Sequence, residues 1–91
     1  MRKRYAFPFL IILLAFLLIG ASYLTVKIQY DANDNPVYIG RADPGAAVTD
    51  AKWQIVRLTW DASGNCTDIQ YANGSWEFKF QWSSRASYVY K

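Results

Sequence analysis

The sequence predicts an N-terminal single transmembrane α-helix followed by a small, mostly antiparallel all-β domain of five or six short strands in a hairpin meander. Three observations predict this fold class. Residues 5–26 form a run of 22 positions without a charge, later segments alternate apolar with polar residues, and clusters of Asp, Asn, Gly and Pro separate those segments. The first pattern is typical of a membrane-spanning helix, and the other two are typical of strands joined by tight turns.

The uncharged run divides the chain into three parts: a cytoplasmic basic flank at 1–4, a transmembrane helix or uncleaved signal-anchor at 5–26, and an extracytoplasmic β-domain at 27–91. A helix over the run would be about 33 Å long, which matches the hydrocarbon core of a bilayer. The basic residues at 2–4 place the N-terminus in the cytoplasm and the β-domain in the periplasm or outside the cell. The predicted anchor residues are Phe9, Leu10, Ile11, Ile12, Leu13, Leu14, Phe16, Leu17, Leu18 and Ile19.

A cleaved signal peptide is the alternative for this segment. It also has a basic start, an apolar stretch and then small residues, here Gly20-Ala21-Ser22, with a cut after Ala21. We favour the retained anchor because the bulky Ile19 stands three positions before the cut and the apolar run continues past the small residues.

Strands are predicted at 25–30, 37–39, 53–60, 66–71, 76–82 and 87–90. The segment 53–60 is apolar on both faces, which favours a central strand. Asn73-Gly74 is a strong hairpin signal, and in 76–82 aromatic residues alternate with polar ones, which predicts a strand buried on one face. Residues 46–52 fit a loop or a short helical turn, and nothing after them predicts a helix.

An internal repeat links two of the predicted hairpins. Residues 29–39 and 59–69 share the pattern aromatic-Asp-Ala-x-x-Asn-x-x-x-Ile at an offset of 30 residues. Two copies are too few for a solenoid. We expect both turns to use the same chemistry, with Asp accepting from backbone N–H groups and Asn or Gly adopting a positive φ.

Charge and composition exclude several classes of function. From Thr25 onward there are seven basic and seven acidic residues, so the β-domain is neutral and offers no electrostatic footprint for nucleic acid. The chain has no His and a single Cys, Cys66, which excludes His-dependent catalytic triads and cysteine metal sites. We expect no catalytic activity, no cofactor, no metal site and no small-molecule substrate. Cys66 is expected to be a buried thiol or a link to a second chain.

The oxygen-bearing residues Asp31, Asn33 and Asn35 have the spacing that opens a calcium loop, but the later Gly and bidentate Glu of an EF-hand are missing. We therefore interpret 31–36 as a turn. The aromatic residues at 76, 78, 80 and 82 are interpreted as core, since stripes at strand spacing usually are. The candidate interface residues are Tyr88, Tyr90, Trp82 and Arg85 near the C-terminus.

A family resemblance covers somewhat over half of the chain. Its motifs are Tyr38-Ile39-Gly40, Pro44-Gly45, Trp60-Asp61, Gly64-Asn65 and the ending Trp82-x-x-Arg85-Ala86-Ser87-x-x-Tyr90. From Tyr38 to Tyr90 the chain resembles a short β-domain of tailed-bacteriophage and prophage proteins of poorly defined function. Tyr71 stands where that group often has Trp, and Ser83-Ser84 where it tends to have acidic residues. The resemblance implies a viral or mobile-element origin rather than an activity.

Together these features predict a non-catalytic structural or interaction protein anchored in a membrane by one helix. Its expected partners are membrane lipid and either another protein or further copies of itself. The alternatives are an exported virion or fibre subunit whose signal peptide is removed near Ala21, and a small carbohydrate- or surface-binding module that uses exposed Trp or Tyr.

Overall fold

The computed structural model describes residues 23–91, and the predicted anchor residues Phe9–Ile19 lie outside them. The described part contains four strands: β1 (Thr25–Tyr30), β2 (Pro36–Ala42), β3 (Gln54–Trp60) and β4 (Cys66–Tyr71). They form one sheet in the order β1-β2-β3-β4, and every neighbouring pair is antiparallel. The predicted antiparallel all-β domain is confirmed, with four strands instead of five or six.

The two hairpins of the sheet close with the same turn, as the internal repeat predicts. Asp31 Oδ1 accepts from the backbone N–H groups of Asn33 and Asn35 at 2.8 and 3.0 Å. Asp61 Oδ1 accepts from Ser63 and Asn65, both at 2.9 Å. The positive φ falls at Gly64 (86°) in the second turn, as predicted, but at Asp34 (65°) in the first, where Asn or Gly was predicted. Both hairpins also carry a register shift just before the turn, at Gln29/Tyr30 and Thr59/Trp60.

The hydrophobic core lies on one side of the sheet, which we call the packed face. The buried residues Ala42, Trp53, Ile55 and Ala72 line it, and the C-terminal segment covers it with Phe80, Trp82 and Tyr90. The Trp53 and Trp82 rings lie 6.0 Å apart, and the Tyr38 and Tyr90 rings 5.6 Å apart. Gly40 lies beneath Trp82, where a Cβ would stand only 2.5 Å from Cε3 of that indole.

The opposite side, which we call the second face, follows from the alternation of side chains along each strand. It carries Val26 and Ile28 on β1, Ile39 on β2, Val56 and Leu58 on β3, and Ile69 on β4. Ile39 and Leu58 in the middle of the sheet are buried, whereas Ile28 and Ile69 on the two edge strands are exposed, by 37% and 58%.

The predicted strand at 76–82 is wrong. Only Phe80 makes a bridge, to Trp53, and the chain then enters a 3₁₀ helix at Trp82–Ser87, where no helix is predicted. Because the segment crosses the packed face to deliver Phe80 and Trp82, it cannot also lie in the plane of the sheet as a fifth strand. Trp76 and Phe78 are consequently 70% and 41% exposed, not part of the core.

Two further predicted elements need correction, one near each end of the described residues. The predicted strand at 87–90 is reduced to a bridge between Ala72 and Tyr90, with Lys91 exchanging backbone hydrogen bonds with Tyr71. At the other end, Thr25 and Val26 belong to β1, so a helix cannot extend to Val26 as predicted. Their backbone groups pair with β2 instead of with a preceding helical turn.

Candidate interaction surfaces

Two of the four candidate interface residues are core residues. Trp82 and Tyr90 are only 7% and 6% exposed, so most of each side chain is out of reach of a partner. The Tyr90 hydroxyl donates to the backbone carbonyl of Arg85 at 2.7 Å, and burial raises the pKa of Tyr90. The prediction fails for these two because a position near the chain end does not ensure exposure: this segment folds back beside Ala72 and contributes to the core.

The other two candidates, Tyr88 and Arg85, are half-buried. The Tyr88 hydroxyl accepts from the backbone N–H of Gln81 at 2.9 Å. The Arg85 guanidinium stacks 4.6 Å from the centre of the Trp82 ring, and its Nε donates to Gln29 Oε1 at 2.6 Å. Arg85 therefore links the 3₁₀ helix to the outer strand β1.

A shallow groove of about 400 Å³ runs along the outer edge of β1. It is lined by Val26, Lys27, Ile28, Gln29, Trp82 and Arg85, which include two cations and no acidic residue. Because β1 ends the sheet, no other described strand pairs with this edge. From Thr25 to Gln29 this edge thus presents backbone groups that pair with no other described strand, beside positive charge. Such an arrangement can accept an extended segment bearing an acidic side chain.

The opposite edge of the sheet, formed by β4, has different chemistry. Asp68 and Ile69 are both exposed there. Cys66 at the start of β4 is a half-buried free thiol, and burial raises its pKa. Tyr71 at the end of β4 is already paired with Lys91, so among the described residues the open part of this edge runs from Cys66 to Gln70.

A third surface is formed by exposed residues of the segment that follows β4. Trp76 is 70% exposed, and its backbone carbonyl accepts from Gln54 Nε2 at 2.7 Å, which fixes the segment to β3. Glu77 and Lys79 form an exposed ion pair of 2.9 Å beside it, and that pair lowers the pKa of Glu77. A fixed, exposed indole next to polar groups can stack on an apolar ligand face such as that of a sugar ring.

Comparison with known proteins finds no match to a family model, to a curated protein or to a solved structure. Within residues 23–91, no three His, Cys, Asp or Glu side chains come together in a way that could hold a metal ion. No helix in that same range is long and apolar enough to cross a membrane. The fold and the surfaces therefore define the class of protein only as a small antiparallel β-domain with two unlike open edges.

Sequence analysis missed both edges. A period-two pattern predicts a strand but does not indicate whether that strand lies at the edge of a sheet. It therefore could not show that the strands of Lys27, Ile28, Asp68 and Ile69 are the outer ones. The internal repeat carries a usable signal, since it aligns Lys27 with Arg57 and Ile69 with Ile39.

Proposed function

We propose that this protein is a non-catalytic structural or interaction protein, held by a single membrane-spanning segment, whose β-domain binds another protein or further copies of itself outside the cytoplasm. The observation that carries the proposal is the uncharged run at 5–26 behind a cluster of three cations. Such a run is more stable in lipid than in water, and the cations favour the cytoplasmic side.

The β-domain supports the interaction role through its open edges and exposed apolar residues. Ile28, Ile69 and Trp76 are all exposed large apolar side chains. A sheet that leaves both edges free is prone to pair with further strands unless its edges are covered. The resemblance to phage and prophage β-domains supports the proposal that the protein is phage-encoded or an accessory subunit of a membrane assembly.

The anchoring is tested by expressing the full chain in bacteria and washing the membranes with alkaline carbonate. We expect the protein to stay in the membrane pellet, to begin at or near Met1 by mass spectrometry, and to be digested by protease added to spheroplasts. Leu14→Arg should release most of the protein, since a central Arg costs roughly 2.5–3.5 kcal/mol of insertion free energy. Leu14→Ala is the matched control. Wild-type protein in the carbonate supernatant would refute the anchor.

An exported virion or fibre subunit is the second candidate, favoured by the small residues Gly20-Ala21-Ser22. Mass spectrometry that finds a mature N-terminus at Ser22 would select it.

A carbohydrate- or surface-binding module is the third candidate, favoured by the exposed Trp76. Tryptophan fluorescence titrated with glycans tests it, with Trp76→Ala as the control, and an unchanged wild-type signal would remove it.

A further inference from the structure

The sheet is built from two copies of one hairpin, and this repetition points to a way in which it can be extended. β1–β2 and β3–β4 share the Asp-centred turn and the register shift, at an offset of 30 residues. β4 is thus the counterpart of β2, and β1 is the counterpart of β3. The joint between the two hairpins is the β2–β3 pairing, in which Ile39 lies opposite Val56 and Tyr38 opposite Arg57.

We propose that copies of this chain join edge to edge, with β1 of one copy pairing antiparallel to β4 of the next. The proposal deepens, and rests on, the proposed self-association of a membrane-held β-domain. When the β2–β3 pairing is shifted by one 30-residue repeat, β4 takes the place of β2 and β1 of the next copy takes the place of β3. This shift places Ile69 opposite Val26 of the next copy, Asp68 opposite its Lys27, and Gln70 opposite its Thr25.

The residues brought together in this register match in chemistry. Ile69 and Val26 both lie on the second face, so the apolar pair repeats the Ile39–Val56 pair inside the chain. Asp68 and Lys27 both lie on the packed face, where Arg85 adds a second cation to the groove that would receive Asp68. Opposite charges directly across a strand pair stabilise it, and like charges destabilise it.

The backbone pairing of Lys91 sets a limit that this register meets. Lys91 exchanges two backbone hydrogen bonds with Tyr71, at 3.0 and 3.1 Å, and so occupies the outer edge of β4 at that residue. An incoming β1 can therefore pair no further along β4 than Gln70. With Thr25 opposite Gln70, the five residues from Thr25 to Gln29 fill the open part of β4 and Lys27 meets Asp68.

The direction of the strands favours the joining of unlike edges. Because the sheet is an antiparallel meander of four strands, a copy related by simple translation presents β1 antiparallel to β4. In such a row β1 begins at the same height above the membrane in every copy, so all copies can be anchored in one bilayer. Pairing β1 with β1 of another copy would bring two Lys27–Arg85 grooves together, so that like charges would meet. An unlike-edge contact that repeats by translation gives an open row instead of a closed dimer.

Cysteine cross-linking of the full chain in native membranes tests this register. In a Cys66→Ser background, Val26→Cys with Ile69→Cys should give a ladder of disulfide-linked multimers on mild oxidation. The two positions lie about three strand spacings, roughly 14 Å, apart within one copy, so no internal disulfide can form. Val26→Cys with Thr67→Cys is the matched pair out of register and should give at least several-fold less product.

Charge reversal then tests the pairing of edges. In the cross-linking background, Lys27→Asp or Asp68→Lys should each lower multimer yield by about fivefold, and the double reversal should restore it. Equal amounts of the two single variants should cross-link when co-expressed, because each supplies the edge that the other needs. Lys52→Asp, at an exposed site away from both edges, is the control and should change nothing.

Full yield from both single reversals, or no recovery in the double, would overturn the edge pairing. The same membranes, washed with carbonate, separate this inference from the anchor. Protein that stays in the pellet without a ladder leaves the anchor intact and removes the edge pairing. A ladder of multimers in the carbonate supernatant would support the edge pairing and refute the anchor.

Discussion

Replacing Gly40 with alanine tests the packing that holds the C-terminal segment on the sheet. The added methyl would lie 2.5 and 2.8 Å from Cε3 and Cζ3 of Trp82, and 3.2 Å from Cε3 of Trp53. Neither indole can move away easily, since Trp82 is 7% exposed and Trp53 is fully buried. Overpacking of this kind costs about 1–3 kcal/mol, against which alanine regains about 0.5–1 kcal/mol of backbone entropy. The expected net loss of folding free energy is about 1–2 kcal/mol.

Thermal unfolding followed by near-ultraviolet circular dichroism, at one protein concentration, measures this loss. For a domain of this size it corresponds to a fall in Tm of roughly 5–15 °C. Trp82→Phe removes the two atoms that the methyl would strike, so Gly40→Ala should cost at least ~1 kcal/mol less in that background than in the wild type. An unchanged Tm in Gly40→Ala, or equal costs in both backgrounds, would refute the packing argument.

Three further predictions address the turn, the link between hairpins and the core. Backbone hydrogen bonds, chiefly from Asn65, lower the pKa of Asp61, so its ionised form stabilises the fold above the ordinary aspartate range of about 4 and this contribution is lost as pH falls below it. The stability difference between wild type and Asp61→Asn should therefore shrink on acidification in urea titrations, and a constant difference would contradict the turn. Trp60→Phe removes the 2.7 Å bond from Nε1 to the Pro36 carbonyl and should cost about 1 kcal/mol in urea unfolding, whereas no loss would show that water replaces it. Trp53→Ala should cost about 3–5 kcal/mol and Trp76→Ala less than about 0.5 kcal/mol by the same measurement, and similar costs would contradict their assigned burial.

The hairpins were predictable from the sequence because their signals are local. Asp followed four residues later by Asn indicates a turn in both hairpins, and the alternation of Val26, Ile28 and Tyr30 indicates a strand. The segment 66–71 was likewise predicted with the bounds that β4 has.

The C-terminal segment was not predictable in the same way, because its conformation depends on a surface formed elsewhere. The alternation of Trp76, Phe78, Phe80 and Trp82 fits a strand as well as the pattern at β1 does. The sheet, however, leaves its packed face bare until Phe80 and Trp82 cross it, and that burial outweighs the local preference for a fifth strand. The prediction that Trp82 and Tyr90 belong to an interface is wrong for the same reason, since both side chains are buried in the core on the packed face.

A sheet made from two copies of a hairpin has an inherent asymmetry of edges. Each hairpin offers a first strand and a second strand, and inside the chain the second strand of one pairs with the first strand of the other. The repeat makes this pairing once and leaves one strand of each kind with an outer edge that pairs with no other described strand, β1 on one side and β4 on the other. Ile69 on β4 and Val26 on β1 are the positional equivalents of the pair that already meets in the middle, Ile39 with Val56. The energetic reason for joining the two hairpins, burial of apolar residues on the second face together with strand pairing, therefore persists at both edges of the folded domain.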